Sequence, residues 1–353
     1  MNNPTQTVLV ICGPTASGKT SLALSIAKHL ISSSSLRAKR GNPASCHSRP
    51  DRESITICST VNILSVDSRQ VYRDLDILTG KDIPENLPEG IKIYGLDIVD
   101  TDRSFNLADF VQYAQSIIRK SLDEKTPLII VGGTGLYLKA ITSNLLNVHV
   151  PPNQKIRREM ETKDLASLQK ILFKLNPEKL KSMNNSDLHN PRRLIRAIEI
   201  STASNKPSTS VIASFDTSNR SNPSPSAISS APHFLWIGLK PDKDTLKEYI
   251  RHRVLDRLNS GAIDEVKNLI KNYPDNNQSI FTCLGVREIK DYLNQKISRE
   301  QLIDLWTNAE IDYARRQIVW FNKQPSIVWY DRSSIDNKLI SKLAKVVYQN
   351  DKK

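Results

Sequence analysis

The sequence predicts an α/β fold, in which a parallel sheet flanked by helices carries a phosphate-binding loop and a helical insertion. Short apolar segments rich in Val, Ile and Leu alternate with helical patterns along the chain, which is typical of parallel strands buried on both faces. A glycine-rich segment at 13–20 stands between the first apolar segment and the first helical pattern. Folds of this class bind phosphate at that junction, because the following helix presents free N–H groups.

Each predicted element follows from its hydrophobic pattern. Apolar segments bounded by turn residues predict strands at 8–12, 62–66, 128–131, 234–239 and 327–330. Apolar residues recur with helical spacing between them, for example at 21–31, 108–122 and 263–272. Residues 147–190 carry helical patterns without a convincing strand. We predict that they form a helical insertion in a core made of 1–146 and 191–353.

Two further segments have little apolar content: 32–60, which begins with four serines, and 201–232, which is crowded with Ser, Thr, Asn and Pro. Such segments cannot offset their ordering entropy by burial, so both are predicted to be flexible loops. The first also carries several arginines. It is therefore either an insertion without function or a basic arm that trails along RNA.

The composition limits the class of protein. The chain has 50 basic and 37 acidic residues and a net charge of +13, which favours polyanionic partners but does not establish one. No two of the four cysteines have the C-x-x-C spacing of a zinc or redox site. The first apolar segment, 8–12, is too short for a membrane span or a secretory signal. We therefore expect a cytoplasmic protein without a membrane segment.

The segment 13–20 fits the pattern G-x-x-x-x-G-K-[S/T]. Its glycines let backbone N–H groups turn towards a phosphate, Lys19 adds a full charge, and the Thr20 hydroxyl is placed to hold Mg²⁺. The pattern predicts a polyphosphate or nucleotide site but leaves the reaction open, since phosphoryl transfer is only its commonest use. The residues assigned to this site are Gly13, Pro14, Thr15, Ala16, Ser17, Gly18, Lys19 and Thr20.

Two other strand ends carry polar residues. Asp67 follows the second predicted strand, and the carboxyl ends of parallel strands share one crevice, so Asp67 should face the phosphate site. It could hold Mg²⁺, act as a general base or only cap the next turn. Thr134 follows Gly132 and Gly133 after the next strand. That segment is either a close approach to a ligand or a simple strand-to-helix turn.

Two basic segments complete the candidate residues. Arg192 and Arg196 are four apart on a predicted helix and so share a face, which suits phosphate oxygens but is also typical of a solvated surface. Arg315 and Arg316 precede Trp320, an aromatic residue expected to pack in the core.

Together these segments resemble the tRNA dimethylallyltransferase (tRNA isopentenyltransferase) family, which has a P-loop NTPase-like core. The resemblance spans nearly the whole chain, with three departures. Gly285–Val286 stands where the family usually has Gly-Tyr, residues 93–97 replace a common histidine-rich stretch, and the insertion 32–60 stands where relatives typically have a short link. The resemblance rests on GPTASGKT at 13–20, DSRQVYRDLDI at 67–77, VGGTGLYLKA at 131–140, HNPRRLIRAIE at 189–199, LGVRE at 284–288 and ARRQIVWF at 314–321.

The resemblance implies transfer of a dimethylallyl group from dimethylallyl diphosphate to the N6 amine of the tRNA adenine that lies 3′ of the anticodon. It implies Mg²⁺ as cofactor, the tRNA anticodon stem-loop as partner and a monomeric enzyme. By resemblance Asp67 is the general base, aided by Lys19 and Thr134, while Arg253 joins 13–20 in holding the diphosphate. The implied tRNA contacts are Asp67, Ser68, Arg69, Gln70, Thr134, Arg157, Arg192, Arg193, Leu194, Ile195, Arg196, Arg315 and Arg316.

Three alternatives remain at this point. The loop also suits a kinase that phosphorylates a nucleotide, or an RNA-binding protein that uses nucleotide only as a switch. The third is an enzyme that prenylates free AMP or ADP. The predicted insertion and the basic helix from 191 favour a polymeric acceptor.

Overall fold

The computed structural model describes residues 6–38, 59–81, 83–84, 86–143, 150–204, 232–273 and 278–348. The chain divides into two compact units, one made of Met1–Ser143 with Ile228–Lys353 and the other of Asn144–Ala227. Among the described helices, none combines the length and the apolar composition that a bilayer-spanning segment requires.

The larger unit is built on a six-stranded parallel sheet with the order β3-β2-β4-β1-β5-β6. All five predicted strands are confirmed, with ends that differ by one residue at most, and the α/β prediction is correct. Strand β3 was missed. The strands are β1 (Thr7–Cys12), β2 (Val61–Val66), β3 (Ile91–Tyr94), β4 (Leu128–Gly132), β5 (His233–Leu239) and β6 (Val328–Tyr330).

The helices follow the apolar periodicity, and most have a polar cap; Asn106, for example, accepts the backbone N–H of Ala108 at 2.8 Å at the start of the third helix. They are α1 (Lys19–Ala38), α2 (Asp76–Thr79), α3 (Leu107–Asp123), α4 (Gly135–Thr142), α5 (Gln154–Glu161), α6 (Leu165–Leu175), α7 (Pro177–Lys181), α8 (Asn185–Leu188), α9 (Pro191–Ser204), α10 (Lys243–Asn259), α11 (Ala262–Asn272), α12 (Gln278–Phe281), α13 (Val286–Leu293), α14 (Arg299–Phe321) and α15 (Asn337–Tyr348).

The sheet is buried because helices cover it. Leu9 and Ile11 of β1 pack with Ile26 of α1 and Leu343 of α15 in one apolar cluster. The alternate β1 residues, such as Val10, are also fully buried. Burial of both faces is the reason that these strands read as continuous apolar segments rather than as alternating ones.

The smaller unit is helical in its described part, 150–204, and has a core of its own. Leu168 and Leu172 of α6 pack with Leu194 and Ile198 of α9. The predicted boundary between residues 190 and 191 differs from this division, because the apolar face of α9 is buried against α6 rather than in the larger unit.

The two predicted loops are described only at their ends. Residues 32–38 continue α1, and 201–204 complete α9, so these parts are helical rather than loop. Apart from 59–60 and 232, the rest of the segments 32–60 and 201–232 lies outside the described residues.

Candidate active site

Three strand ends meet at one edge of the sheet in the larger unit. Because β4 lies between β1 and β2, the loop 13–20, Asp67 and the segment 132–134 follow neighbouring strands. A cavity of about 310 Å³ opens there, and Lys19, Asp67 and Gly133 line it. The sequence-based expectation that Asp67 faces the phosphate loop is therefore met by the topology.

The loop 13–20 has the backbone that its glycines predict. Gly13 has φ +146°, and a Cβ at this position would lie 2.3 Å from the carbonyl oxygen of Leu239. Gly18 has φ +85° and directly precedes α1. Lys19 and Thr20, the first residues of α1, line the cavity. A helix N-terminus presents N–H groups without intrahelical partners and a partial positive charge, which favours an anion there.

Lys19 is the first residue of α1 and lies within this loop. Its Nζ donates to the carbonyl oxygen of Pro14 at 2.5 Å and to Ser17 Oγ at 3.5 Å. Burial, together with the nearby charge of Arg253, lowers the pKa of Lys19 to about 8, although Asp67 and Cys12 oppose that shift. A cation with a lowered pKa is stabilised by any anion that binds beside it.

Arg253 of α10 reaches the loop. Its Nη1 donates to Thr15 Oγ1 at 3.0 Å, and its Nη2 donates to the carbonyl oxygen of Gly80 at 3.2 Å. The side chain lines the same cavity as Lys19 and Asp67. The structure thus brings Arg253 together with the loop 13–20.

Gln317 of α14 joins two of the strand ends, and sequence reasoning missed it. Its Nε2 donates to the carbonyl oxygen of Gly133 at 2.9 Å, while its Oε1 accepts the backbone N–H of Thr15 at 2.8 Å. This buried amide ties the phosphate loop to the end of β4. The only sequence signal was its place within the segment 314–321.

Asp67 is half-buried and begins a tight turn. Its Oδ1 accepts the backbone N–H of Arg69 at 2.8 Å and that of Gln70 at 3.4 Å. No hydrogen bond from the described residues is directed to Oδ2. Asp67 therefore does cap the following turn, one of the three roles considered for it, while its second oxygen stays available for a proton or a metal ion.

The residues after Asp67 lie around the same cavity. Ser68, Arg69 and Gln70 all line it. Gln70 Nε2 donates to the carbonyl oxygen of Gly80 at 2.9 Å, and Arg69 Nη2 donates to Thr282 Oγ1 at 2.9 Å. The turn is therefore held by its own side chains, one bonded to the nearby Gly80 backbone and the other to the distant Thr282.

Thr134 caps α4 without a side-chain cap bond, and its buried Oγ1 has no hydrogen-bond partner of standard geometry among the described residues. The Tyr313 phenol nevertheless lies close enough to interact with it. Burial raises the pKa of Tyr313 to about 12, Asp67 adds to the rise, and the interaction with Thr134 opposes it. Tyr313, which sequence reasoning also missed, thus stays protonated beside Asp67.

Two basic residues of α14 differ in position. Arg316 lines the cavity, and its guanidinium lies 5.7 Å from the ring centroid of Tyr313. Arg315 is exposed and pairs with Asp312 at 3.1 Å, and it does not line the cavity. Trp320, which was expected to pack in the core, is half-buried, whereas Phe321 beside it is fully buried.

In the helical unit, two predicted tRNA contacts share a buried carboxylate. The Nε of Arg157 lies 2.8 Å from Glu199 Oε1, and Nη1 of Arg196 lies 3.2 Å from Glu199 Oε2. The Glu199 side chain is 0% exposed. Burial by itself would raise the pKa of Glu199, but the bonds from Arg157, the Asn153 backbone and Arg196 together lower it.

The remaining predicted contacts on α9 point in two directions. Arg192 and Arg193 are exposed, and Arg193 pairs with Asp187. Leu194 and Ile195 are buried in the core of the helical unit. The prediction that these two side chains contact tRNA is therefore corrected, because the apolar face of the helix packs inward while the arginines face solvent.

Comparison with known proteins shows the family of this chain. Residues 70–324 match the model of the family described as IPP transferase. The chain is 32% identical over 330 residues to tRNA dimethylallyltransferase 1 of Syntrophus aciditrophicus, covering 92% of this chain and 93% of the relative. It is 33% identical over 318 residues to tRNA dimethylallyltransferase 2 of Treponema denticola, covering 89% and 91% of the two chains.

The fold is also similar to a solved structure, the full-length tRNA isopentenylpyrophosphate transferase from Bacillus halodurans. The TM-score is 0.61 at 26% identity, over 98% of this chain and 96% of that chain. The parallel sheet with its loop is accordingly of the P-loop NTPase-like type. Since the family model covers most of the chain and the relatives match nearly its full length, the chain belongs to the IPP transferase family.

Proposed function

We propose that this chain transfers a dimethylallyl group from dimethylallyl diphosphate to the N6 amine of the tRNA adenine that lies 3′ of the anticodon, with release of diphosphate. The observation that carries the proposal is one cavity of about 310 Å³ that Lys19 of the phosphate loop and the Asp67 carboxylate line together. The family supports it, since relatives of nearly equal length are tRNA dimethylallyltransferases.

The diphosphate is held by the loop side of the cavity. Thr15, Lys19 and Thr20 of the loop line the cavity there, and the Arg253 guanidinium joins them. Diphosphate gains negative charge as its bond to the allylic carbon breaks. Positive groups that are already in place stabilise that charge without reorganisation, which is the largest single contribution in many enzymes.

Mg²⁺ fits this site as a companion of the diphosphate. The described residues contain no group of three or more His, Cys, Asp or Glu that could hold a metal ion by themselves. Mg²⁺, however, usually keeps several waters and uses one or two protein oxygens plus substrate phosphates. The Thr20 hydroxyl and the Asp67 carboxylate line the same cavity and could supply those oxygens. When bound, Mg²⁺ would neutralise part of the diphosphate charge.

The acceptor amine is activated on the Asp67 side of the cavity. A bond forms between N6 and the allylic carbon, the carbon–oxygen bond to diphosphate breaks, and the N6 proton passes to the Asp67 carboxylate. Adenine N6 is a poor nucleophile because its lone pair is delocalised into the ring, so a base that takes its proton accelerates the attack. We assign Thr134 to the acceptor side as well, since the Tyr313 phenol interacts with both Thr134 and Asp67.

Contacts with tRNA come from basic residues of both units. In the helical unit we assign them to Arg157, Arg192, Arg193 and Arg196, and in the larger unit to Arg315 and Arg316 together with 67–70. Guanidinium groups suit phosphate oxygens because they donate in a planar fork. An adenine in a folded loop must leave its stack to reach a cavity of this kind. We propose that the protein acts as a monomer in the cytoplasm.

One experiment tests the reaction against its alternatives. The protein is incubated with dimethylallyl diphosphate labelled in the prenyl group and, in parallel, with an unmodified tRNA, with AMP and with a matched tRNA that carries guanine at the acceptor position. We expect label only in the first tRNA. Label in AMP would assign the chain to free-nucleotide prenylation. A separate incubation with ATP and a nucleotide tests the kinase alternative, which phosphate transfer without any prenyl transfer would show.

A further inference from the structure

A buried ion pair lies in the wall of the active-site cavity. Nη1 of Arg257, on α10, lies 2.7 Å from Oε1 of Glu310, on α14, and the two side chains are 8% and 7% exposed. Both residues line the cavity that contains Lys19 and Asp67. Charged side chains are rarely buried to this degree unless they pair or bind a ligand. The desolvation cost of such a pair can exceed its Coulombic gain, so stability alone does not explain why it is buried here.

Arg257 lies one helical turn after Arg253 and faces the same space. A second cavity of about 790 Å³ adjoins the first. Four residues line both cavities, namely Lys19, Thr20, Arg253 and Arg257. The first three belong to the diphosphate site proposed above, so Arg257 is the third cation, after Lys19 and Arg253, that lines both cavities.

Gly80 shows how closely the two guanidinium groups approach. It ends α2 with φ +63°, and a Cβ on it would lie 2.1 Å from Nη2 of Arg253 and 2.6 Å from Nη2 of Arg257. The absence of a side chain lets both arginines reach this point. Two like charges brought together in a partly buried place repel each other, and an anion between them would remove that repulsion.

The charge of the whole cavity agrees with a diphosphate occupant. Its lining contains five basic residues and two acidic ones, the latter being Asp67 and Glu310. A diphosphate ester carries about two to three negative charges at neutral pH, because the last phosphate ionisation has a pKa near 6. The lining therefore carries a net excess of three positive charges, which is of the same size as the charge of the ligand.

We propose that Arg257 is a second diphosphate-binding arginine, which Glu310 holds in place. One guanidinium edge is fixed by the carboxylate, and Nη2 is then directed towards the diphosphate that Lys19 and Arg253 grip. The inference rests on the proposed function, because it concerns the same ligand. The competing explanation is structural: the pair could only join α10 to α14, with Arg257 lying 5.9 Å from the Trp306 ring centroid.

A double variant separates the two explanations. Arg257→Met with Glu310→Met replaces the whole pair by apolar side chains, which leaves no unpaired buried charge and is often neutral for folding. A matched control exists on the same two helices, where Arg251 pairs with Asp304 at 2.8 Å on the surface. Neither control residue lines either cavity. Arg251→Met with Asp304→Met therefore removes an α10–α14 ion pair away from the ligand.

The measurement is the dissociation constant of inorganic diphosphate at fixed Mg²⁺, by titration calorimetry, with tRNA affinity and the thermal midpoint measured beside it. We expect the Arg257→Met, Glu310→Met variant to bind diphosphate about ten- to a hundred-fold more weakly, the range for one charged hydrogen-bonding group. Its tRNA affinity should be unchanged, and the control variant should bind diphosphate as the wild type does.

The possible failures are distinguishable. If the double variant binds diphosphate as the wild type does while Lys19→Ala binds it more weakly, the inference about Arg257 is overturned and the proposed function stands. If the wild type binds no diphosphate, both fall. Should the double variant unfold, Arg257→Lys decides instead: we expect binding about three- to ten-fold weaker, since an ammonium cannot pair with Glu310 and reach the ligand in the same way. Wild-type affinity in that variant would also overturn the inference.

Discussion

Replacing Asp67 by asparagine tests the centre of the proposed chemistry. The general-base assignment predicts a large loss of transfer rate with almost no change in diphosphate affinity. Asparagine keeps an oxygen in the position of Oδ1, which accepts the backbone N–H groups of Arg69 at 2.8 Å and Gln70 at 3.4 Å. The turn at 67–70 should therefore persist, and the variant should fold normally.

The expected magnitude follows from the role of a positioned base. Loss of such a group slows a reaction about a hundred- to ten-thousand-fold, which corresponds to about 3 to 5 kcal/mol of activation free energy. The substitution also has an indirect effect. The charge of Asp67 supports the pKa of Lys19, which is already lowered to about 8. Its removal lowers that pKa further, so the assay belongs near pH 7 or below, where Lys19 stays protonated.

The assay is single-turnover transfer of labelled prenyl group to tRNA, beside the dissociation constant of diphosphate at saturating Mg²⁺. Asp102→Asn, which changes an exposed carboxylate outside both cavities, is the matched control. A transfer rate within threefold of the wild type would refute the general-base role and leave Asp67 as a cap of the turn. Weak diphosphate binding that excess Mg²⁺ restores would instead assign Asp67 to the metal.

Three further predictions concern charge. Because the pKa of Lys19 is about 8 without ligand and bound anion raises it, diphosphate affinity should be steady just below pH 8 and fall by up to about tenfold per pH unit above it. Calorimetry should show a weaker dependence of diphosphate affinity on pH for Lys19→Arg. A wild-type affinity that does not change with pH would contradict the role of Lys19 titration. If Arg192 neutralises one phosphate, Arg192→Ala should reduce the slope of the logarithm of tRNA affinity against the logarithm of salt concentration by about one unit. An unchanged slope would mean that the Arg192 side chain is only solvated. Glu199→Gln should destabilise the helical unit by about 1 to 3 kcal/mol. This is less than the loss of a fully buried ion pair would cost, because Arg157 and Arg196 remain about one-third exposed and solvent screens their charges. Because the pKa of Glu199 is lowered, its contribution to stability is present at neutral pH and lost on acidification. A Glu199→Gln variant with the wild-type thermal midpoint at pH 7 would show that the bonds from Arg157 and Arg196 contribute nothing to stability.

The sequence by itself determined the parts of this protein that depend on neighbouring residues. The strands were predicted because a parallel strand buried on both faces is a continuous apolar segment. The phosphate loop was predicted because its chemistry lies in consecutive residues, whose glycines adopt backbone angles that other residues avoid. Strand β3 was missed, since its short segment at the sheet edge alternates buried Ile91 with exposed Lys92 and lacks that continuity.

Only the tertiary structure decided which distant residues meet. The apolar period of α9 predicted a helix, but it could not show that Leu194 packs against Leu168 of the helical unit. Gln317 bonds to Thr15 across 302 residues of chain, and Glu310 bonds to Arg257 across 53. A buried polar group must find a partner, but the local sequence does not say where that partner comes from. The order of the strands and the packing of α10 and α14 supply it, and these depend on the whole fold.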